Sequence, residues 1–162
     1  MKKLKKRIFI LLLMSGLLFL PLSVPAEKAF NVMLYNMDNK MVNLKKVIKK
    51  EYTILSFGAT YCKPCKKEIK ELINLEKELN QKVDIYLIFV DKSKTKIEEY
   101  LKDNEITLTV LHDLYQMTMK RYSVKALPSI FLINKKMEII YKIKGYHPKT
   151  IEKLKKIIES GP

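Results

Sequence analysis

The amino-acid sequence predicts an α/β domain with a mixed central sheet flanked by helices, and three observations support this. Two nearly continuous apolar runs, YTILSFG and VDIYLIFV, are separated by a long stretch with helical spacing. This pattern is typical of two strands that are buried on both faces and joined by a helix. Such a β-α-β order requires parallel strands with a right-handed crossover. Two later apolar runs are joined by a short polar turn, so those strands must be antiparallel.

The first half of the chain contains five predicted elements. A loose alternation around the turn signal Asp38-Asn39 predicts an N-terminal β-hairpin. Apolar residues with helical spacing follow Pro64, which lies in a first turn, where its missing N–H costs nothing. In order, the elements are a hairpin over Phe30–Val42, a short helix or turn over Leu44–Lys50, a strand over Tyr52–Gly58, a helix over Lys63–Asn80 and a strand over Val83–Val90.

The second half continues with a short αβ insertion and a closing strand-strand-helix unit. The last two strands flank the polar turn NKK, and the final helix is amphipathic. In order, the elements are a helix over Thr95–Asp103 with Ser93 as its cap, a strand over Ile106–Leu111, a helix over Asp113–Tyr122, strands over Ser129–Ile133 and Glu138–Ile143, and a helix over Pro148–Ile158.

The first 26 residues have the pattern of a secretory signal peptide. Residues 2–7 carry five basic side chains, and an apolar run of 13 residues covers 8–20. Val24 and Ala26 then stand at the −3 and −1 positions of a cleavage site. We therefore expect a signal peptide over 1–26 and a single mature domain over 27–162.

Export places the mature domain outside the cytoplasm of a bacterium, in the periplasm or on the outer face of the membrane. The alternative to cleavage is a retained membrane tether through residues 8–24, although 13 apolar residues fall short of the ~20 that a spanning helix prefers. No cysteine lies directly after the apolar run, so we expect no lipoprotein anchor.

The charge of the chain is strongly basic. Removal of residues 1–26, which carry five basic and no acidic side chains, lowers the formal net charge from +15 to +10. The lysines are scattered among glutamates, Arg121 is the one arginine after residue 26, and no aromatic-basic interleaving is present. We therefore expect no nucleic-acid partner. A non-catalytic module that docks membranes or acidic partners through this charge stays open as an alternative function.

Cys62 and Cys65 are the only cysteines, and they form a CxxC motif between the first core strand and its helix. In an exported chain this pattern indicates redox use, with the two sulfurs joined in a disulfide in the oxidised form. A zinc site needs about four ligands, and His112 and His147 lack metal-ligand spacing. A purely structural staple is also disfavoured, because so short a loop removes little chain entropy. We expect no metal and no cofactor.

The helix start gives the two thiols different roles. Cys62 lies where free N–H groups and the helix dipole stabilise an anion, and lysines at 63, 66 and 67 add positive charge. Cys62 is therefore the predicted nucleophile, and Cys65, one turn deeper, is the predicted resolving thiol. Glu68 follows on the same helical stripe as Cys65. It is either an acid that exchanges a proton with the deeper thiol or an ordinary carboxylate in a first turn.

The CxxC motif with its strand, the run VDIYLIFVDKS, and the segment YSVKALPSIFLINKKMEIIYKIKGY together resemble the thioredoxin superfamily. Within it they resemble the TlpA/ResA-like exported thiol–disulfide oxidoreductases. The resemblance covers roughly Phe30 to Tyr146 and implies the thioredoxin fold. It implies that Cys62 is the nucleophile, that Pro128 is cis and faces the cysteines, and that Glu68 is an active-site acid.

The resemblance also implies a function and partners. It favours reduction of disulfides in exported proteins such as apocytochrome c, with electrons supplied by a membrane thiol transporter. Tyr61, Leu127 and Pro128 are the expected substrate-binding residues. An oxidase or isomerase of the same fold is the alternative within the class. A peroxidase is disfavoured, because Ala59 stands where peroxiredoxins have a threonine.

Several positions depart from the pattern of the superfamily. Tyr61 replaces the usual tryptophan before the first cysteine, and Gly58 replaces a usual aromatic residue. Ser56 stands where cytoplasmic thioredoxins bury an aspartate, so the proton relay of that position is not expected. Leu127 replaces a smaller or β-branched residue. These departures leave the redox chemistry intact and bear on the choice of substrate.

Overall fold

The computed structural model describes residues 26–161, so the predicted signal segment lies, except for Ala26, outside the described residues. The strands are β1 Met33–Asn36, β2 Met41–Asn43, β3 Tyr52–Gly58, β4 Val83–Phe89, β5 Thr109–His112, β6 Ser129–Asn134 and β7 Ile139–Lys144. The helices are α1 Leu44–Val47, α2 Lys63–Leu79, α3 Lys94–Asp103, α4 Met117–Arg121 and α5 Thr150–Ser160.

All seven strands form one mixed sheet, in the order β2-β1-β5-β4-β3-β6-β7. Strands β3, β4 and β5 are parallel, whereas β6 and β7 run antiparallel to their neighbours. The N-terminal hairpin extends the sheet through an antiparallel pairing of β1 with β5. The predicted mixed α/β sheet is confirmed, and the carboxyl ends of β3, β4 and β5 meet at one edge.

Strand β3 is an interior strand with extensive pairing on both sides. It pairs with β4 over seven residues and with β6 over six, and all seven of its residues are buried. Its bounds agree with the prediction, because a short, nearly continuous apolar run suits a strand covered on both faces. Helix α2 then packs its apolar stripe against the sheet, with Ile69, Leu72 and Leu75 buried.

Strand β5 begins at Thr109 rather than at the predicted Ile106. Asn104 caps helix α3, Glu105 has a positive φ of 48°, and the N–H of Ile106 bonds back to the carbonyl of Leu101. These contacts end helix α3, so the first residues of the apolar run ITLTVL belong to the loop between α3 and β5. The predicted insertion thus supplies an interior strand that joins the core of the sheet to the hairpin.

Helix α4 is shorter than the predicted span of 113–122. Asp113 lies outside it, and its carboxylate accepts hydrogen bonds from the N–H groups of Thr118 and Met119 at 3.1 and 2.7 Å. Gln116 has a positive φ of 55°, which no helical residue adopts. A tight turn therefore separates β5 from α4. No helix within residues 26–161 is both long and apolar enough to cross a membrane.

Candidate active site

Cys62 and Cys65 form a disulfide where β3 leads into α2. Cys62 is the N-cap residue of α2, and its Sγ accepts a hydrogen bond from the N–H of Cys65 at 3.3 Å. The two residues are 8% and 2% exposed. Cys62 is thus the more accessible residue of the two, which is compatible with its predicted role as the nucleophile.

The loop before Cys62 is attached to the end of β4 by Asp91. The carboxylate of Asp91 accepts hydrogen bonds from the N–H of Thr60 at 3.1 and 3.2 Å and from its hydroxyl at 2.6 Å. Asp91 is buried, and its carbonyl is 2.7 Å from Nε2 of His112 at the end of β5. Three consecutive parallel strands thus contribute to the support of the redox loop.

Glu68 lies one turn after Cys65 on α2 and is 1% exposed. Its Oε1 accepts a hydrogen bond from the hydroxyl of Ser56 at 2.9 Å, and its Oε2 has no partner among the described residues. Burial raises the pKa of Glu68 to about 7; the Ser56 hydrogen bond opposes this shift and the nearby Glu71 adds to it. Its carboxyl group can therefore gain or release a proton near neutral pH.

In this site the buried acid lies on a helix and not on a strand. Ser56 on β3 occupies the position where cytoplasmic thioredoxins bury an aspartate. Here the acid comes from Glu68 on α2 and reaches the same buried space from the helix. A second carboxylate, Glu71, accepts a hydrogen bond from the Tyr146 hydroxyl at 2.7 Å. Glu68 is therefore held by the sheet through Ser56, whereas its neighbour Glu71 is bound by the C-terminal part of the chain.

The peptide bond between Leu127 and Pro128 is cis. Pro128 is buried and immediately precedes Ser129, which pairs with Phe57 across β3 and β6. Continuing this antiparallel register places Pro128 beside Gly58, the last residue of β3. A Cβ atom built on Gly58 would lie 3.6 Å from Sγ of Cys65. The cis-proline therefore adjoins the strand end on which the disulfide rests.

Tyr61 and Leu127 differ in accessibility. Tyr61, directly before Cys62, is 71% exposed and points its ring into solvent, whereas Leu127 is half-buried against the core. Of the two predicted substrate-binding residues, Tyr61 is therefore the more accessible to a partner.

The AhpC/TSA family model matches residues 25–142 of the chain. The chain belongs to the AhpC/TSA family. The thiol–disulfide oxidoreductase ResA of Bacillus thuringiensis subsp. konkukian is 31% identical to it over 134 residues, which span 81% of this chain and 77% of that protein. The sporulation thiol–disulfide oxidoreductase A of Bacillus subtilis is 30% identical over 115 residues, or 68% of each chain.

Solved structures agree with this family assignment. StoA from Bacillus subtilis superposes with a TM-score of 0.65 and 26% identity, over 82% of this chain and 98% of that chain. A putative thiol:disulfide interchange protein DsbE from Chlorobium tepidum superposes with a TM-score of 0.77 at 21% identity, over 85% and 96% of the two chains, and supports the fold alone. The fold is that of thioredoxin, and the enzyme is a thiol–disulfide oxidoreductase of the ResA and StoA type.

The structure brings the predicted residues of this AhpC/TSA member to one edge of the sheet. Cys62 is the N-cap of α2, and Cys65 and Glu68 lie in its first turns. The cis-Pro128 residue directly precedes strand β6, which pairs with β3. The sequence analysis did not predict that Asp91 anchors the redox loop. One feature could have indicated it: Asp91 is an acidic residue directly after a buried run, at the sheet edge where open α/β folds have their sites. No group of three or more metal-binding side chains is present within residues 26–161.

Proposed function

We propose that this protein acts outside the cytoplasm as a reductant of disulfides in exported proteins, such as apocytochrome c. The observation that supports this most directly is the buried acid behind the redox pair, since Glu68 can exchange a proton with the deeper sulfur near neutral pH. The signal-like segment over 1–26 supports a location outside the cytoplasm, with residues 8–24 as a tether if they are retained. The pair must be reduced again after each turnover, and a membrane thiol transporter is the proposed electron donor.

The reaction begins with the reduced pair. The Cys62 thiolate attacks one sulfur of the substrate disulfide, the substrate S–S bond breaks, and the second substrate sulfur leaves as a thiolate that takes up a proton. Cys65 then attacks Cys62 in the mixed disulfide. The first substrate sulfur leaves as a thiol, so the substrate gains two electrons and two protons while Cys62 and Cys65 become oxidised.

In this scheme Glu68 assists the second step. Cys65 must lose its proton before it attacks, and it is almost completely buried, so water has little access to it. Glu68 is the neighbouring group on the same helical face, three residues on. Its ionised form accepts the Cys65 proton. The cis-Pro128 segment and exposed Tyr61 contact the substrate while the mixed disulfide exists.

The reduction potential of the Cys62–Cys65 pair tests the direction of the reaction. The full chain in mild detergent is equilibrated with dithiothreitol buffers, and the oxidised fraction is measured. We expect a value near the thioredoxin end of the scale, about −270 mV. A value near −120 mV, typical of strong oxidants, would make the protein a disulfide donor instead.

Trapping tests the substrate and the order of attack. The Cys65→Ser variant should accumulate a mixed disulfide with an oxidised apocytochrome c peptide that contains a CxxCH motif, because the second step is blocked. The Cys62→Ser variant is the matched control and should form none. Equal trapping by both variants would contradict the assignment of Cys62 as nucleophile, and absence of trapping would exclude this substrate.

A further inference from the structure

A surface depression begins directly beside the redox pair. It has a volume of about 330 Å³, and the residues that line it include Thr60, Tyr61, Lys92 and Lys96. A second depression of about 460 Å³ is lined by Tyr35, Tyr115 and, like the first, Lys92. The two depressions that share Lys92 are called the tyrosine–lysine groove; its residues range from Tyr61, directly before Cys62, to Tyr35 in the N-terminal hairpin.

The tyrosines of this groove are unusually accessible. Tyr61 is 71% exposed and Tyr115 is 74% exposed, and Tyr35 is also exposed at 37%. Large aromatic side chains are the residues that most often anchor protein interfaces, because they contribute a large contact area with little loss of conformational freedom. The groove therefore offers aromatic anchors on both sides of Lys92.

Two of the three lysines that line the groove form no ion pair within the described residues. Lys94 pairs with Glu98 at 3.1 Å, whereas Lys92 and Lys96 are exposed and form no ion pair within the described residues. The acid in the groove, Asp91, is buried and directs its oxygens to Thr60. The accessible charge of the groove is therefore positive.

Gln116 lines the first depression, and Tyr115, directly before it, lines the second. Gln116 occupies the left-handed region and donates a hydrogen bond from its side-chain Nε2 to the carbonyl of Val90 at 3.1 Å. Its own N–H bonds to the carbonyl of Asp113 at 2.8 Å. These bonds attach the turn that carries Tyr115 to the end of β4.

We propose that the tyrosine–lysine groove binds an acidic polypeptide segment that flanks the disulfide of the substrate protein. The charge of Lys92 and Lys96 selects carboxylates, and the exposed tyrosines pack against the backbone and apolar side chains of the segment. This inference rests on the proposed function, since the same Cys62–Cys65 pair acts on the bound substrate. It adds a preference for substrates with acidic residues close to their disulfide.

The test compares two disulfide-containing peptides that differ only in whether their flanking residues are aspartate or asparagine. The reduced full chain should react faster with the acidic peptide, by about five-fold at low ionic strength, and high salt should remove the difference. In the double variant K92Q/K96Q the ratio of the rates with the acidic and the asparagine peptide should fall to about one.

The Lys102→Gln variant is the matched control, because Lys102 is an exposed lysine at the other end of the helix that carries Lys96. It should retain the preference for the acidic peptide. Equal rates of the wild type with both peptides, or an equal loss in Lys102→Gln, would overturn the proposal. Exchange with dithiothreitol is measured in parallel, so a failure of the redox pair itself is distinguished from a failure of the groove.

Discussion

At the scale of single residues, the most consequential feature is the buried carboxyl of Glu68. An ionised carboxylate loses its hydration on burial, and one hydrogen bond from Ser56 does not replace it. Burial therefore raises the pKa of Glu68 from 4.5 to about 7. The ionised form of Glu68 therefore destabilises the folded state.

The first prediction concerns the pH dependence of stability. Between about pH 4.5 and pH 7 the unfolded chain releases the Glu68 proton while the folded chain retains it, so the free energy of unfolding falls as pH rises through this window. The contribution is about 3 kcal/mol. The Glu68→Gln variant should lack this decrease. Urea unfolding of the oxidised protein from pH 4 to pH 8 measures it.

Glu76→Gln is the control for this experiment. It makes the same substitution on the same helix at a more accessible position. This variant should keep the pH dependence of the wild type. If Glu68→Gln and the wild type lose stability in parallel between pH 4.5 and pH 7, Glu68 is not the titrating group.

At the scale of elements, the redox loop depends on the end of a neighbouring strand. Asp91 follows β4 and binds Thr60, two residues before Cys62, through three contacts. No other hydrogen bond joins the side chains of the loop over 60–61 to the rest of the described chain. The position of the first cysteine is therefore set by β4 as well as by helix α2.

The second prediction concerns Asp91→Ala. The change leaves the N–H of Thr60 without its acceptor and should lower the free energy of unfolding by about 2 kcal/mol. It should also change the rate at which reduced Cys62 reacts with iodoacetamide, because the loop is no longer fixed. Urea unfolding and alkylation kinetics measure the two effects.

Asp113→Ala is the matched control, since Asp113 is an equally buried carboxylate that accepts two backbone N–H groups in α4. It should be destabilised by a similar amount without a change in alkylation rate. If both variants alter the reactivity of Cys62 equally, Asp91 acts through general stability and not through the loop.

The sequence predicted the elements that depend on long apolar patterns and failed where side-chain contacts set the boundary. Strand β3 and helix α2 were placed almost to the residue, because a buried run and an apolar stripe leave little freedom. The start of β5 was missed because Asn104 and Glu105 close helix α3 within an apolar run. The contact between Asp91 and Thr60 was missed because it joins residues 31 positions apart.

The sequence named both cysteines, Glu68 and Pro128 as candidate site residues, because their spacing is short or their motif is distinctive. The structure shows where these residues lie, and the roles assigned to them stay predictions. The cis bond at Pro128 required the resemblance to a family, since an apolar strand that begins with proline is compatible with either isomer. The hydrogen bond from Ser56 to Glu68 joins a strand to a helix, and no sequence pattern reports it.

At the scale of the whole molecule, the sheet consists of a strongly paired core and a weakly attached extension. The seven residues of strand β3 form thirteen residue pairs, seven with β4 and six with β6. The N-terminal hairpin is joined to the core sheet by only two residue pairs between β1 and β5, at Tyr35↔His112 and Asn36↔Leu111. The hairpin also forms the far end of the tyrosine–lysine groove.

The third prediction is a gradient of local stability across the sheet. The amides of β3 and β4 should exchange with deuterium only on global unfolding, whereas those of β1 and β2 should exchange through local opening at a lower free energy. Strand β7, an edge strand with five residue pairs to β6, is the internal comparison and should exchange at an intermediate rate. Hydrogen exchange resolved by residue measures the order. Because opening of the hairpin separates β1 from β5 without disturbing the Cys62–Cys65 pair, equal protection of β1 and β3 would mean that the extension and the core unfold as one unit.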